Sequence, residues 1–196
     1  LISRGGLSEG ETVLIHGASG GVGLAALQLA RHLGAKTIAT VSSEEKAELL
    51  SRYETTDVLV CPGGEFKGDV NAITGGVGAD VIFDPIGGNV FDESTKCIAP
   101  FGRLLIVGFA GGRIATAATN HVLIKQYSVV GVRAGEFGRI DQVRGQEVMN
   151  ALLQMAEVGA FKPYIHDVHN FKDLIQAFDV IAARKVVGRI VIDAIS

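Results

Sequence analysis

The stretch IHGASGGVGLAALQLA, residues 15–30, sets four glycines among seven positions, between an apolar run and an evident helix. A strand that ends in a tight turn and feeds straight into a helix aims several free N–H groups at one point. The positive end of the helix dipole converges there too. Only residues without a side chain let a pyrophosphate approach such a backbone. The dinucleotide fingerprint G-x-G-x-x-G falls on Ala18, Ser19, Gly20, Gly21, Val22 and Gly23, with alanine expected in place of the first glycine.

Around this turn the chain repeats one unit. Six short apolar runs rich in β-branched residues recur: TVLIHG from Thr12, KTIATV from Lys36, DVLVC from Asp57, DVIFD from Asp80, RLLIVGF from Arg103 and SVVGVR from Ser128. Successive starts lie 21 to 25 residues apart. That interval accommodates a strand, a crossover helix and two turns, so the runs read as parallel βαβ units and not as hairpins. Little polar alternation within them points to burial on both faces. The expected class is therefore α/β: a doubly wound parallel six-stranded Rossmann sheet with helices on both faces.

Val22 to Leu33 spaces Leu24, Leu27, Ala30 and Leu33 as a helix, with Gly34 as its C-terminal cap. Glu44 to Arg52 reads as a second helix, opened by a capping box of Ser42 and Glu45. Val90 to Ile98 reads as a third. After Val132 the pattern changes to a long amphipathic helix in GQEVMNALLQMAEVG, an extended connector in KPYIHDVHNF, a helix in KDLIQAFDVIAARK and a strand in GRIVIDAI. A boundary is expected near residue 135, giving a cofactor-binding domain over 1–135 and a helix–connector–helix–strand segment over 136–196. The opening LISRGGL reads as the tail of a helix that began earlier, so the chain is expected to be part of a longer one.

At 196 residues and 47% apolar composition the chain has material for a substantial core. Its net charge of -3, without a basic stripe, argues against a nucleic-acid partner. Cys61 and Cys97 lie far apart without CxxC spacing, which points to free thiols in a reducing, cytoplasmic setting. No apolar run approaches the ~20 residues of a membrane helix, so no membrane partner is expected.

The second strand ends ATVSSEEK, with Val41 or Ser42 where an NAD-binding sheet usually places an acid for the ribose 2′-OH. Ser42, Ser43 and Lys46 offer hydroxyl, N–H and ammonium contacts to a 2′-phosphate. NADPH is therefore expected over NADH. The sixth strand, 128–132, would leave a long apolar edge, so pairing with its copy in a homodimer is expected.

GETVLIHGASGGVGLAALQLARHLGA, TGGVGADVIFDPIGG, GRLLIVGFAGG and ARKVVGRIVI, in that order, resemble the quinone oxidoreductase branch of the medium-chain dehydrogenase/reductase superfamily. The resemblance runs from about Gly10 to Ile192. It implies a Rossmann cofactor domain whose GroES-like catalytic partner domain precedes it in the family. It further implies that Gly20 to Gly23 hold the pyrophosphate and that Ser42 and Lys46 meet the 2′-phosphate. Gly108, Phe109 and Ala110, with Val130, Gly131 and Val132, would pass the nicotinamide through backbone contacts, and Arg184 would reach the cofactor. Cys61 stands where the family commonly has a tyrosine near the adenine.

Asp84, at the end of the fourth strand, reads as a turn-forming acid and not as a base. His16 reads as a hydrogen-bonded strand-end residue. His166 and His169 flank Asp167 in the connector without further ligands nearby, so no metal is expected. No residue of this chain is expected to be catalytic. The expected chemistry is hydride transfer to a quinone or an α,β-unsaturated carbonyl, with orientation supplied by the protein. A zinc-dependent alcohol dehydrogenase, a synthase enoyl reductase and a non-catalytic NADPH-binding module are the alternatives.

Overall fold

Thr12–Ile15 forms strand β1, and the chain returns to the same sheet five more times: β2 (Lys36–Val41), β3 (Asp57–Val60), β4 (Ala79–Asp84), β5 (Ile98–Ile106) and β6 (Ser128–Gly131). The computed structural model describes residues 1–194. All pairings in this sheet are parallel and the order is β3-β2-β1-β4-β5-β6, the doubly wound Rossmann arrangement.

The period-two alternation of each strand feeds two separate cores. Val13, Ile15, Ala39, Val41, Val81, Phe83 and Leu105 pack on one face against α2 (Gly21–His32) and Leu50 of α3 (Glu44–Leu50). Leu14, Ile38, Ile82 and Leu104 pack on the other against Val70 of α4 (Lys67–Ile73) and Phe91 of α5 (Gly88–Cys97). Fully burying one such aliphatic side chain stabilises the fold by ~1.5–3 kcal/mol. Helix α2 ends as its sequence requires: Gly34 takes φ 72 and the Ala35 amide donates to Ala30 O at 3.1 Å.

Several local expectations change. Helix α3 starts after Ser43, no side chain caps it, and the Ser42–Glu45 capping box does not form. Strand β5 begins at Ile98, before the expected Arg103, because Phe101 adopts φ 62 and the strand continues through an irregularity in its pairing with β4. Short helices α4, α6 (Thr119–Lys125) and α7 (Ala134–Ile140) occupy stretches that gave no periodic signal, while Ile2–Gly5 forms the short α1.

Beyond β6 the chain runs through α7, α8 (Gln142–Glu157), β7 (Ile165–Asn170), α9 (Leu174–Ala182) and β8 (Arg189–Asp193). Asp141 accepts from the Arg144 amide at 2.9 Å and caps α8. The expected connector thus contains a strand, and β7 pairs in parallel with β8 as a second, two-stranded sheet. The expected final strand reached Ile195, which lies outside the described residues. Val187 returns to the first core at 7% exposure, and Gly188 pairs with Gly20.

Candidate functional site

The chain leaves β1 towards β2 and leaves β4 towards β5, so the crevice beyond the carboxyl ends of β1 and β4 is the topological switch point. Two turns line it. The turn after β1 begins at Gly17, whose φ of 58 a side-chain-bearing residue rarely adopts. A Cβ there would lie 3.5 Å from Ile86 Cδ1, in the turn after β4. Gly17 therefore makes the tight turn, while Ala18, at the first fingerprint position, is fully buried and donates its amide to Thr40 O at 3.1 Å.

The remaining glycines divide the labour. A Cβ on Gly23 would stand 2.3 Å from Gly17 O and 2.7 Å from Ala18 Cα, so this position lets the helix close against the turn. A Cβ on Gly21 would meet Arg189 Cγ at 2.9 Å and Gly188 O at 3.0 Å. Gly20 is the N-cap of α2 in extended conformation, with no side-chain cap. The first-turn amides from Gly21 to Gly23 have no intrahelical acceptors by helix geometry. A Cβ on Gly20 itself would meet only Gly17 O, at 3.4 Å. The cradle fits a diphosphate: bare amides at a positive helix end, on a backbone without side chains at positions 20, 21 and 23. Ser19 is buried, and its carbonyl accepts from the Gly188 amide at 2.8 Å.

Buried polar groups fix both turns. His16 is fully buried, with Nδ1 3.0 Å from Thr40 Oγ1 and Nε2 2.9 Å from Ser94 Oγ, and burial pushes its pKa down to about 3. Ser94 donates its own hydroxyl proton to Val90 O at 2.7 Å, so it accepts from Nε2–H while Thr40 donates to Nδ1. The imidazole is a neutral bracket between β1, β2 and α5, as its strand-end position implied. Asp84 Oδ1 accepts from the amides of Ile86 and Gly87, both at 2.8 Å. Burial raises its carboxyl pKa, opposed by those two hydrogen bonds. Asp84 thus holds the turn in the role its sequence context indicated.

At the end of β2, Lys46 Nζ donates to Ser42 Oγ at 3.2 Å and to Arg184 O at 2.9 Å. Ser42 and Lys46, one helical turn apart, thus meet the distant Arg184 at this point, and Ser43 adjoins them as the N-cap of α3. Arg184 takes a left-handed φ of 56. Cys61, half-buried just after β3, donates its amide to Val41 O at 2.8 Å; burial and then the Asp69 carboxylate push its thiol pKa up. The loop after β5 is pinned to the β4 turn: Ala110 N donates to Pro85 O at 3.1 Å and Gly111 N to Ile86 O at 2.8 Å. Gly108 lies against Pro85 O, and Phe109 is 50% exposed. Next to it, Val132 N donates to Ile106 O at 2.9 Å, Val130 and Val132 lean on the first core, and Gly131 O accepts from Arg4 Nε at 3.3 Å. Sequence reasoning counted Gly17 in the turn without giving it a role, and missed Gly188; the φ of 68 at Gly188 and its bridge to Gly20 become visible only when residues distant in the chain are paired.

Among the described residues no group of three or more His, Cys, Asp or Glu side chains is placed to hold a metal ion. His169 Nε2 lies 3.4 Å from Asp167 Oδ2, without a third donor. These donors do not fit zinc. No helix among the described residues is long and apolar enough to cross a membrane.

Comparison with known proteins agrees with this geometry. The sequence pattern of the zinc-binding dehydrogenases matches residues 21–157. Quinone oxidoreductase-like protein 2 of Bos taurus is 32% identical over 193 residues, covering 98% of this chain and 55% of its own length. A highly reducing polyketide synthase of Cordyceps militaris is 30% identical over 195 residues, covering 98% of this chain but 8% of the synthase. The native structure of a mycobacterial protein complexed with NADPH superposes with a TM-score of 0.87 at 29% identity, over 95% of this chain and 58% of that one. The chain thus spans little more than half the length of its quinone oxidoreductase-like relatives. It belongs to the zinc-binding dehydrogenase family, and forms the cofactor-binding domain of a medium-chain dehydrogenase/reductase of quinone oxidoreductase-like type.

Proposed function

We propose that this chain is the NADPH-binding part of an oxidoreductase that delivers hydride to a quinone or an α,β-unsaturated carbonyl. One observation carries the choice of cofactor: β2 runs into Ser42, not a carboxylate, and the Lys46 ammonium stands 3.2 Å from that hydroxyl. An acid there would accept from a ribose 2′-OH and repel a 2′-phosphate, whereas a hydroxyl and an ammonium favour the phosphate. The NADPH complex of the mycobacterial neighbour supports the same reading.

When bound, the cofactor supplies the hydride from its nicotinamide ring. The first-turn amides of α2 hold the diphosphate, Lys46 with Ser42 and Ser43 holds the 2′-phosphate, and Cys61 borders the adenine. Arg184 brings a second cation to the adenosine end. The backbone at Gly108–Ala110 and Val130–Val132 orients the nicotinamide. Neighbouring copies pair through the edge of β6, the outermost strand on its side of the sheet. A synthase enoyl reductase is the second reading, favoured by the 30% identity to the Cordyceps militaris synthase across 98% of this chain.

Fluorescence titration of the chain with NADPH and NADH tests the cofactor. At least tenfold tighter binding of NADPH supports the assignment, and equal affinities refute it. Turnover of the natural full-length protein with a benzoquinone and with an enoyl thioester separates the two substrate classes.

A further inference from the structure

Residues 183–188, which join α9 to β8, cross the mouth of the candidate site and are stitched to it at three points. Lys46 Nζ donates to Arg184 O at 2.9 Å. Val187 is buried in the first core. The Gly188 amide donates to Ser19 O at 2.8 Å, and Gly188 forms a bridge with Gly20. One end of the crossing therefore rests on the lysine beside Ser42, and the other on the glycine turn. Arg184, with its left-handed φ of 56, ends α9 just past the C-cap Ala183, and its amide donates to Ile181 O at 3.0 Å.

We propose that Lys46 is a positioning residue coupling recognition of the adenosine 2′-phosphate to the docking of residues 183–188. This inference rests on the NADPH reading above. An ammonium has three N–H donors and no acceptor. Two of them point to Ser42 Oγ and Arg184 O, which leaves the third for a phosphate oxygen. A phosphate that fixes the ammonium removes its rotamer freedom once, for both contacts, so the hold on the Arg184 carbonyl tightens as the cofactor binds. A ribose 2′-OH, uncharged, exerts no comparable pull. Because coupling is reciprocal, a loosened crossing must in turn weaken NADPH more than NADH.

Amide hydrogen exchange, read by mass spectrometry on the chain alone and saturated with NADPH or NADH, tests the coupling. NADPH is expected to slow exchange across 183–190 at least threefold more than NADH does. Lys46→Arg should retain part of that difference. Lys46→Gln should abolish it and speed exchange of the same peptide without ligand. Val187→Ala, which loosens the crossing without touching Lys46, should weaken NADPH binding at least threefold and NADH binding less. Equal protection by the two cofactors, faster exchange with NADPH, or an undiminished difference in Lys46→Gln overturns the coupling while the NADPH reading stands. Failure of NADPH to bind more tightly than NADH overturns both.

Discussion

Acidification should expose the cost of the buried imidazole. His16 has an ordinary pKa of 6.5 when the chain is unfolded and about 3 when folded, because burial disfavours its charged form. The folded state binds fewer protons in that window. The stability associated with a neutral His16 is therefore fully present above pH 6.5 and is lost as the pH falls towards 3. Each pH unit is worth about 1.36 kcal/mol, so roughly 2.7 kcal/mol disappears by about pH 4.5 and on the order of 5 kcal/mol by about pH 3. Against a total stability of ~5–15 kcal/mol, that loss is large. Other groups titrate as well: Glu11, held low chiefly by its hydrogen bond to Arg103, and Asp84, raised by burial. A comparison with His16→Asn removes their contribution, since both proteins keep them. Urea unfolding of the two proteins at about pH 7 and about pH 4.5 is the assay. The variant should be less stable at neutral pH, because Thr40 and Ser94 lose a partner. The gap should narrow by about 2–3 kcal/mol at the lower pH. Parallel pH profiles for the two proteins would show that His16 is not the buried titrating group.

Gly23→Ala places a Cβ where Gly17 O lies 2.3 Å away, and should destabilise the fold by about 1–3 kcal/mol while weakening NADPH binding at least tenfold. An unchanged melting temperature and an unchanged Kd count against the proposed packing. Lys46→Ala should lower NADPH affinity by about tenfold and leave NADH within about threefold, the loss expected for one charge-assisted contact. A parallel fall for both cofactors in equilibrium titrations contradicts a 2′-phosphate contact. Asp84→Ala strips the acceptor from two turn amides and should cost about 1–3 kcal/mol in urea unfolding. A change under about 0.5 kcal/mol would mean that solvent replaces the carboxylate without penalty. Light scattering across a concentration series should detect a dimer, and a monomer at tens of micromolar argues against pairing through β6.

The sheet was readable because its inner strands β1, β2 and β4 are buried on both faces, and so announce themselves as continuous β-branched runs such as TVLI and DVIF. Helix α2 was readable from its apolar spacing and from Gly34. Strand β7 was hidden because IHDVHN carries polar residues on a strand whose first four positions are exposed. Helices α4, α6 and α7 span seven residues each, too few for a periodicity to emerge. In the candidate site, local spacing found the glycine turn but gave Gly17 no role, since a positive φ leaves no mark beyond the residue type. The contact of Lys46 with Arg184 joins two ends of the chain through a backbone carbonyl, which no side-chain pattern encodes.

The bridge between Gly20 and Gly188 has a consequence for biosynthesis. All six strands of the main sheet are translated once Gly131 has been added, yet the opening turn lacks its last neighbour until the far end of the chain emerges. Domains fold from the N-terminus as they are made, so a nascent intermediate forms with the seat of Val187 vacant and apolar. Chains terminated shortly before that valine should be sticky, chaperone-dependent and prone to proteolysis, although every strand of the sheet is present.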